Sequence, residues 1–153
     1  MTANHMETAP LKQEQLDELV LDSQLSEMNR LPSWVEAVGD RYGTSERVRF
    51  AINLCLEEAV SNSIRHGYAG RAGQQVRLSI SEPREGYFVA EVEDDAPHFD
   101  PLHLPALPKI DDQSPDRLGG QGIRLITGFS DSLEYEATVT GNRLRIGFLN
   151  ETQ

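Results

Sequence analysis

"CLEEAVSNSIRHGY", residues 55–68, has apolar residues at helical spacing, yet two glutamates, an asparagine, an arginine and a histidine stand among them. At about 100° per residue, Ile52, Cys55, Leu56 and Ala59 fall on one stripe. Glu58, Asn62 and His66 recur every four residues along the border of that stripe, so a carboxylate, a carboxamide and an imidazole stack on one edge within mutual reach. Glu57, Ser61 and Arg65 point further out. Such an edge suits a divalent cation and a phosphate. The plain alternative is an exposed Glu58–Asn62 pair with His66 at the helix C-terminus, where a cation is favoured. A zinc site on Glu58 and His66 is disfavoured, because Asn is a poor zinc ligand and no second His or Cys stands at a ligand spacing.

The helix is expected over about residues 45–66, with Thr44 as N-cap, Glu46 in the first turn and Gly67 as its end. Upstream, "LDELVLDSQL" suggests an edge strand. Leu25, Met28, Leu31, Trp34, Val35 and Val38 follow at helical spacing, with Pro32 marking either a helix start or a kink. Trp34 and Cys55 read as core. Downstream, the glycine-rich "GYAGRAG" leads into two runs, "QQVRLSISE" and "GYFVAEVEDD", that form an antiparallel hairpin across "PREG". Residues 96–118 hold five prolines and no period, which predicts a long irregular loop of the kind compact domains keep for function. "LGGQGIRLITGFSD" opens on glycines and becomes a short helix. "SLEYEATVT", "GN" and "RLRIGFL" then make a second hairpin. This order predicts an α+β fold, a two-layer sandwich with helices on one face of a mixed, largely antiparallel sheet.

With 153 residues the chain has the size of one domain, expected over residues 16–153 after a flexible stretch at 1–15. Its net charge of −11 repels phosphate backbones and anionic lipid, so nucleic acid and membrane surfaces are poor partners. The single Cys55 forms no internal disulfide and suits a reducing compartment. The polar N-terminus has no signal-peptide pattern and no apolar run reaches the ~20 residues of a membrane span, so a cytoplasmic location is expected. His5, His98 and His103 give no usable signal.

Two further segments bear on the site. In "VEDDAPHFDP" the aspartates Asp94 and Asp95 end an apolar strand, where a carboxylate is either an acidic turn or an acceptor for an exocyclic amine such as that of adenine. "GGQG", Gly119–Gly122, precedes Ile123, Leu125 and Ile126, and is either a hinge or a place where backbone N–H groups approach an anion at a helix N-terminus.

Taken in order, "EEAVSNSIRHGY", "EDDAPHFDP" and "GGQGIRL" resemble the asparagine-bearing helix and the two glycine boxes of the ATPase superfamily that includes gyrase, the heat-shock chaperones and histidine kinases, the Bergerat type of fold. "HGY" closing the helix, "FDP" after the aspartates and "GGQGI" opening the last helix most resemble the bacterial anti-sigma-factor serine kinases. The resemblance covers roughly residues 20–150. It implies ATP and Mg²⁺ as cofactors, with the cation on Asn62 and Glu58 as general base. It also implies adenine on Asp94, with Ala96 in the same box, and phosphates cradled by Gly119, Gly120, Gln121 and Gly122. Residues 96–118 would be the lid, His66 a supporting residue, and Arg117 either a donor to the γ-phosphate or a solvated lid arginine.

The implied activity is phosphorylation of an anti-anti-sigma partner of the STAS fold, alternating with sequestration of a sigma factor; dimerisation near the N-terminal strand is typical of that family. The sequence departs from the superfamily in the first glycine box, where Ala96 and His98 replace the usual glycines. An alternative function is therefore a sequestering module that binds nucleotide weakly or not at all. A third, a metal-dependent hydrolase using Glu58 and His66, predicts stabilisation by zinc alone.

Overall fold

Ser45 opens the helix that organises the domain. In the computed structural model, which describes residues 15–103 and 123–150, its extended backbone and side-chain oxygen cap helix α2, Glu46–Asn62, by accepting from Val48 N at 3.2 Å. Thr44, expected as the cap, is instead buried and accepts the Arg49 Nε–H at 3.2 Å. The cap moves by one residue because Thr44 braces the preceding turn. Beyond Asn62 the chain widens into a π turn, Ser63–Gly67, so the expected helix to residue 66 ends in two geometries.

Helix α1, Leu31–Tyr42, begins at Pro32 and is not kinked by it, since the first turn needs no N–H from proline. Residues Leu25–Arg30 precede it as a 3-10 helix, and Gly43 ends it with φ 77°. α1 buries Leu31, Val35 and Val38, while α2 buries Val48, Ile52, Cys55, Leu56, Ala59 and Val60. Arg49 joins the two helices, donating to Glu36 at 3.0 Å and Asp40 at 2.8 Å. A third helix, α3, spans residues 123–129 and buries Ile126.

The strands are β1 (Gln15–Asp22), β2 (Gln75–Arg84), β3 (Tyr87–Asp94), β4 (Ser132–Ala137) and β5 (Asn142–Leu149). They form one sheet in the order β1-β2-β3-β5-β4, and every described pairing is antiparallel, which narrows the mixed sheet expected from sequence. The β2–β3 and β4–β5 hairpins stand as expected. Alternation sends Val76, Leu78, Ile80, Phe88, Ala90, Val92, Ile146 and Phe148 toward the helices. The opposite face carries a ladder of ion pairs, with Arg143 on Glu93 at 2.6 Å and Arg145 on Glu91 at 2.7 Å. Core therefore lies on one face only. The β3–β5 register sets Asp94 opposite Asn142, at the end of the sheet that α2 reaches with Asn62.

Candidate functional site

Asn62 is the last residue of α2, so its carboxamide stands where the helix gives way to the π turn. Asp94 is the last residue of β3 and is only 6% exposed. The two line one pocket, with Ser63 and Gly67 from the π turn, Phe99 and Pro101 from the chain after β3, and Asn142 and Tyr135 from the last hairpin. Val92, Leu144 and Ala59 supply an apolar lining. The empty space measures about 410 Å³, part of it open to solvent. Polar groups converging on an apolar cleft are the usual form of a small-molecule site.

The Asp94 carboxylate is held on both oxygens. Oδ1 accepts from Ala96 N at 3.1 Å and from Asn142 Nδ2 at 2.8 Å, and Oδ2 accepts from Ser63 Oγ at 2.7 Å. Four acceptor positions minus three such bonds leave one, on Oδ2. An ideal Cβ on Gly67 would stand 3.7 Å from Oδ2 and 3.1 Å from the Ala96 methyl, so glycine there lets the turn pack close. Asp95 points the other way. Arg77 donates to both its oxygens, at 3.2 and 3.0 Å, and holds its carboxyl below the usual range, with Thr140 Oγ1 donating at 3.3 Å. Adjacent aspartates thus serve opposite faces of the sheet, as alternation requires.

Tyr68, after the π turn, is buried; its hydroxyl donates to Gln75 O at 2.7 Å and accepts from Asp95 N at 2.8 Å. Burial raises its pKa. The "HGY" run therefore works through Gly67 and Tyr68, which seat the turn against β2 and β3. His66 is exposed, stacks on Phe99 with ring centroids 5.9 Å apart, and does not line the pocket. Glu58, one turn before Asn62, does not line it either. Its pKa is raised, by burial first and the Glu57 charge second, against an opposing effect of Arg65. A partly buried carboxylate with a raised pKa is suited to accept a proton.

Ala96 takes its place without strain: Ala69 is the one non-glycine with positive φ among the described residues, so the left-handed backbone that would demand glycine is absent at Ala96. His98 Nε2 donates to the Thr138 carbonyl at 2.8 Å. Asn142, read from sequence only as part of a hairpin turn, does most of the holding. Its Nδ2 also donates to Ala96 O at 3.2 Å and Pro97 O at 3.1 Å, and its Oδ1 accepts from Phe99 N at 2.9 Å and from the Tyr135 hydroxyl. Ser63 was likewise missed. Their signal lies in spatial neighbours 31 and 48 residues away, which no local pattern carries. Arg117, Gly119, Gly120, Gln121 and Gly122, with most of the expected lid, lie outside the described residues. Among the described residues no three His, Cys, Asp or Glu side chains group as for a metal ion, so a Glu58–His66 hydrolase centre has no support there. No described helix is long and apolar enough to cross a membrane.

Residues 21–148 match the histidine kinase-like ATPase domain family. The chain is 28% identical over 116 residues to the serine/threonine-protein kinase BtrW of Bordetella bronchiseptica, covering 74% of this chain and 79% of that one. Its fold is similar to that in a crystal structure of RsbU and RsbW domains from Mycobacterium tuberculosis, with TM-score 0.59 and 12% identity. That match covers 87% of this chain and 31% of the other, so this chain spans under a third of its length. A mycobacterial sensor histidine kinase, MprB, matches with TM-score 0.52 and 12% identity over 90% of this chain and 100% of its own. At such identities the two structures speak for the α+β fold alone.

Proposed function

The chain belongs to the histidine kinase-like ATPase domain family, and on that premise we propose that it is a serine/threonine-protein kinase of the partner-switching kind. The observation that carries the reading is the meeting of Asn62 and Asp94, from a helix end and a strand end, in one apolar pocket where Asp94 keeps an acceptor position. The residues fit the nucleotide: the carboxamide oxygen of Asn62 is a hard ligand for Mg²⁺, and Asp94 suits an exocyclic amine. Bound Mg-ATP supplies the phosphoryl group and neutralises charge on it.

Glu58 takes the proton of a serine or threonine hydroxyl presented by a partner, and its raised pKa improves it as a base near neutrality. Phe99, braced by His66 and Asn142, walls the base side of the pocket and excludes water. Arg117, Gly119, Gly120, Gln121 and Gly122 are assigned to the phosphates on the pattern of the family. The partner is a STAS-fold anti-anti-sigma protein, and a sigma factor is the alternative ligand. Phosphorylating the antagonist adds about two negative charges at its interface with this acidic chain and releases it. Support comes from the 28% identity to a serine/threonine-protein kinase.

Incubation with γ-labelled ATP, Mg²⁺ and STAS-domain proteins of the same genome tests this. Label on a partner serine or threonine is expected. A second reading, a sequestering module without nucleotide, draws on Ala96 and His98. It predicts no thermal stabilisation at millimolar Mg-ATP, whereas any ligand of the native state raises stability.

A further inference from the structure

The Asp94 carboxylate does not stand free in its pocket: Asn142 Nδ2 holds Oδ1 at 2.8 Å from one side of the sheet, and Ser63 Oγ holds Oδ2 at 2.7 Å from the end of α2. With Ala96 N at 3.1 Å completing Oδ1, only a single acceptor position on Oδ2 is left to face a ligand. Asn142 is itself fixed, because Phe99 N and the Tyr135 hydroxyl occupy its oxygen and two backbone carbonyls share its amide protons. A further brace comes from Gly141, where a Cβ would run into the Asp94 carbonyl oxygen and come within 2.7 Å of Asp95 Cα.

We propose that Ser63 and Asn142 are positioning residues that aim one lone pair of Asp94 into the pocket and thereby select a purine bearing an exocyclic amine over one bearing hydrogen or a carbonyl at that carbon. The inference rests on the nucleotide reading above. A carboxylate that rotates accepts from many geometries and discriminates little. One clamped on three bonds offers its remaining acceptor in a single direction, and a carbonyl oxygen brought there meets an acceptor with no proton between them. Ser63 Oγ, having donated its proton, presents only acceptors on the same side.

The test compares binding of Mg-ATP with Mg-purine riboside triphosphate, which lacks the amine, and Mg-inosine triphosphate, by calorimetry on the full chain. For the wild type, ATP should bind about 30-fold more tightly than either, as one charge-assisted hydrogen bond allows. Ser63→Ala and Asn142→Ala should bring that ratio to within about 3-fold, with thermal melts verifying that each variant is folded. Should Asn142→Ala fail to fold, Ser63→Ala decides alone, since it removes one oxygen at the pocket edge. A ratio in the folded variants equal to the wild type's overturns the clamp while leaving the nucleotide reading in place. A wild type that binds none of the three overturns both, and equal binding of all three by the wild type overturns the selection.

Discussion

Glu58 is the residue on which the chemistry turns, and its environment sets a sign that can be measured. Burial raises its pKa, so phosphoryl transfer should fall as pH drops through a value above the ordinary glutamate range. Stability runs the other way. A carboxyl whose folded pKa is raised favours its protonated form in the native state, so its contribution is present below the unfolded pKa and lost as pH rises through the folded one. Glu58→Gln should therefore not lower the melting temperature at neutral pH, should keep Mg-ATP binding, and should cut partner phosphorylation by at least about 100-fold. Equal phosphorylation rates in variant and wild type would remove Glu58 from the base role. The helical period alone puts Glu58 and Asn62 on one border of α2, which is why both were legible in the sequence. It also stacked His66 with them, yet the π turn after Asn62 rotates that imidazole onto Phe99 and out of the pocket lining.

At the scale of elements, the last hairpin holds the segment after β3. Thr138 accepts from His98, Thr140 donates to Asp95, Gly141 admits the Asp94 backbone, and Asn142 binds four residues of the run 94–99. The glycines expected of the first box would be needed only if the chain there had positive φ, and it does not. Gly141→Ala should force the hairpin away from β3 and cost about 1–3 kcal/mol, read as a lower urea midpoint. It should also weaken Mg-ATP binding, because the displaced strand end is Asp94 itself. An unchanged midpoint would show that the hairpin moves freely. Strands, helix order and the two hairpins were readable because alternation and helical spacing are local. Clamps such as Ser63–Asp94 and Asn142–Asp94 were not, since a serine in a polar helix end and an asparagine after a glycine look like turn chemistry until the sheet register sets them side by side. The expected cap at Thr44 failed for a similar reason: either hydroxyl can cap, and the choice went to the arginine bridge between α1 and α2.

For the whole molecule, a single core lies between the helices and one face of the sheet, and Cys55 is at its centre. It is fully buried, its thiol is pushed up to about 12 by burial, and its sulfur sits 3.8 Å from Ile126 O of α3. Alkylation of the native chain should thus proceed only through unfolding and slow further with Mg-ATP; labelling at the rate of a free thiol would contradict the packing. Ile126→Ala, which removes the buried anchor of α3, should cost about 2–5 kcal/mol by denaturant titration. The family match extends over residues 21–148, so the fold and the pocket belong to one unit, and the function rests on whether that unit holds nucleotide. Calorimetric titration of the full chain with Mg-ATP, alongside Asn62→Ala, tests this most directly. The account predicts one saturable site in the wild type and binding weakened by at least about 10-fold in the variant, as expected when a metal ligand is lost. No heat and no thermal stabilisation at millimolar Mg-ATP, or equal affinity in the two proteins, would contradict it.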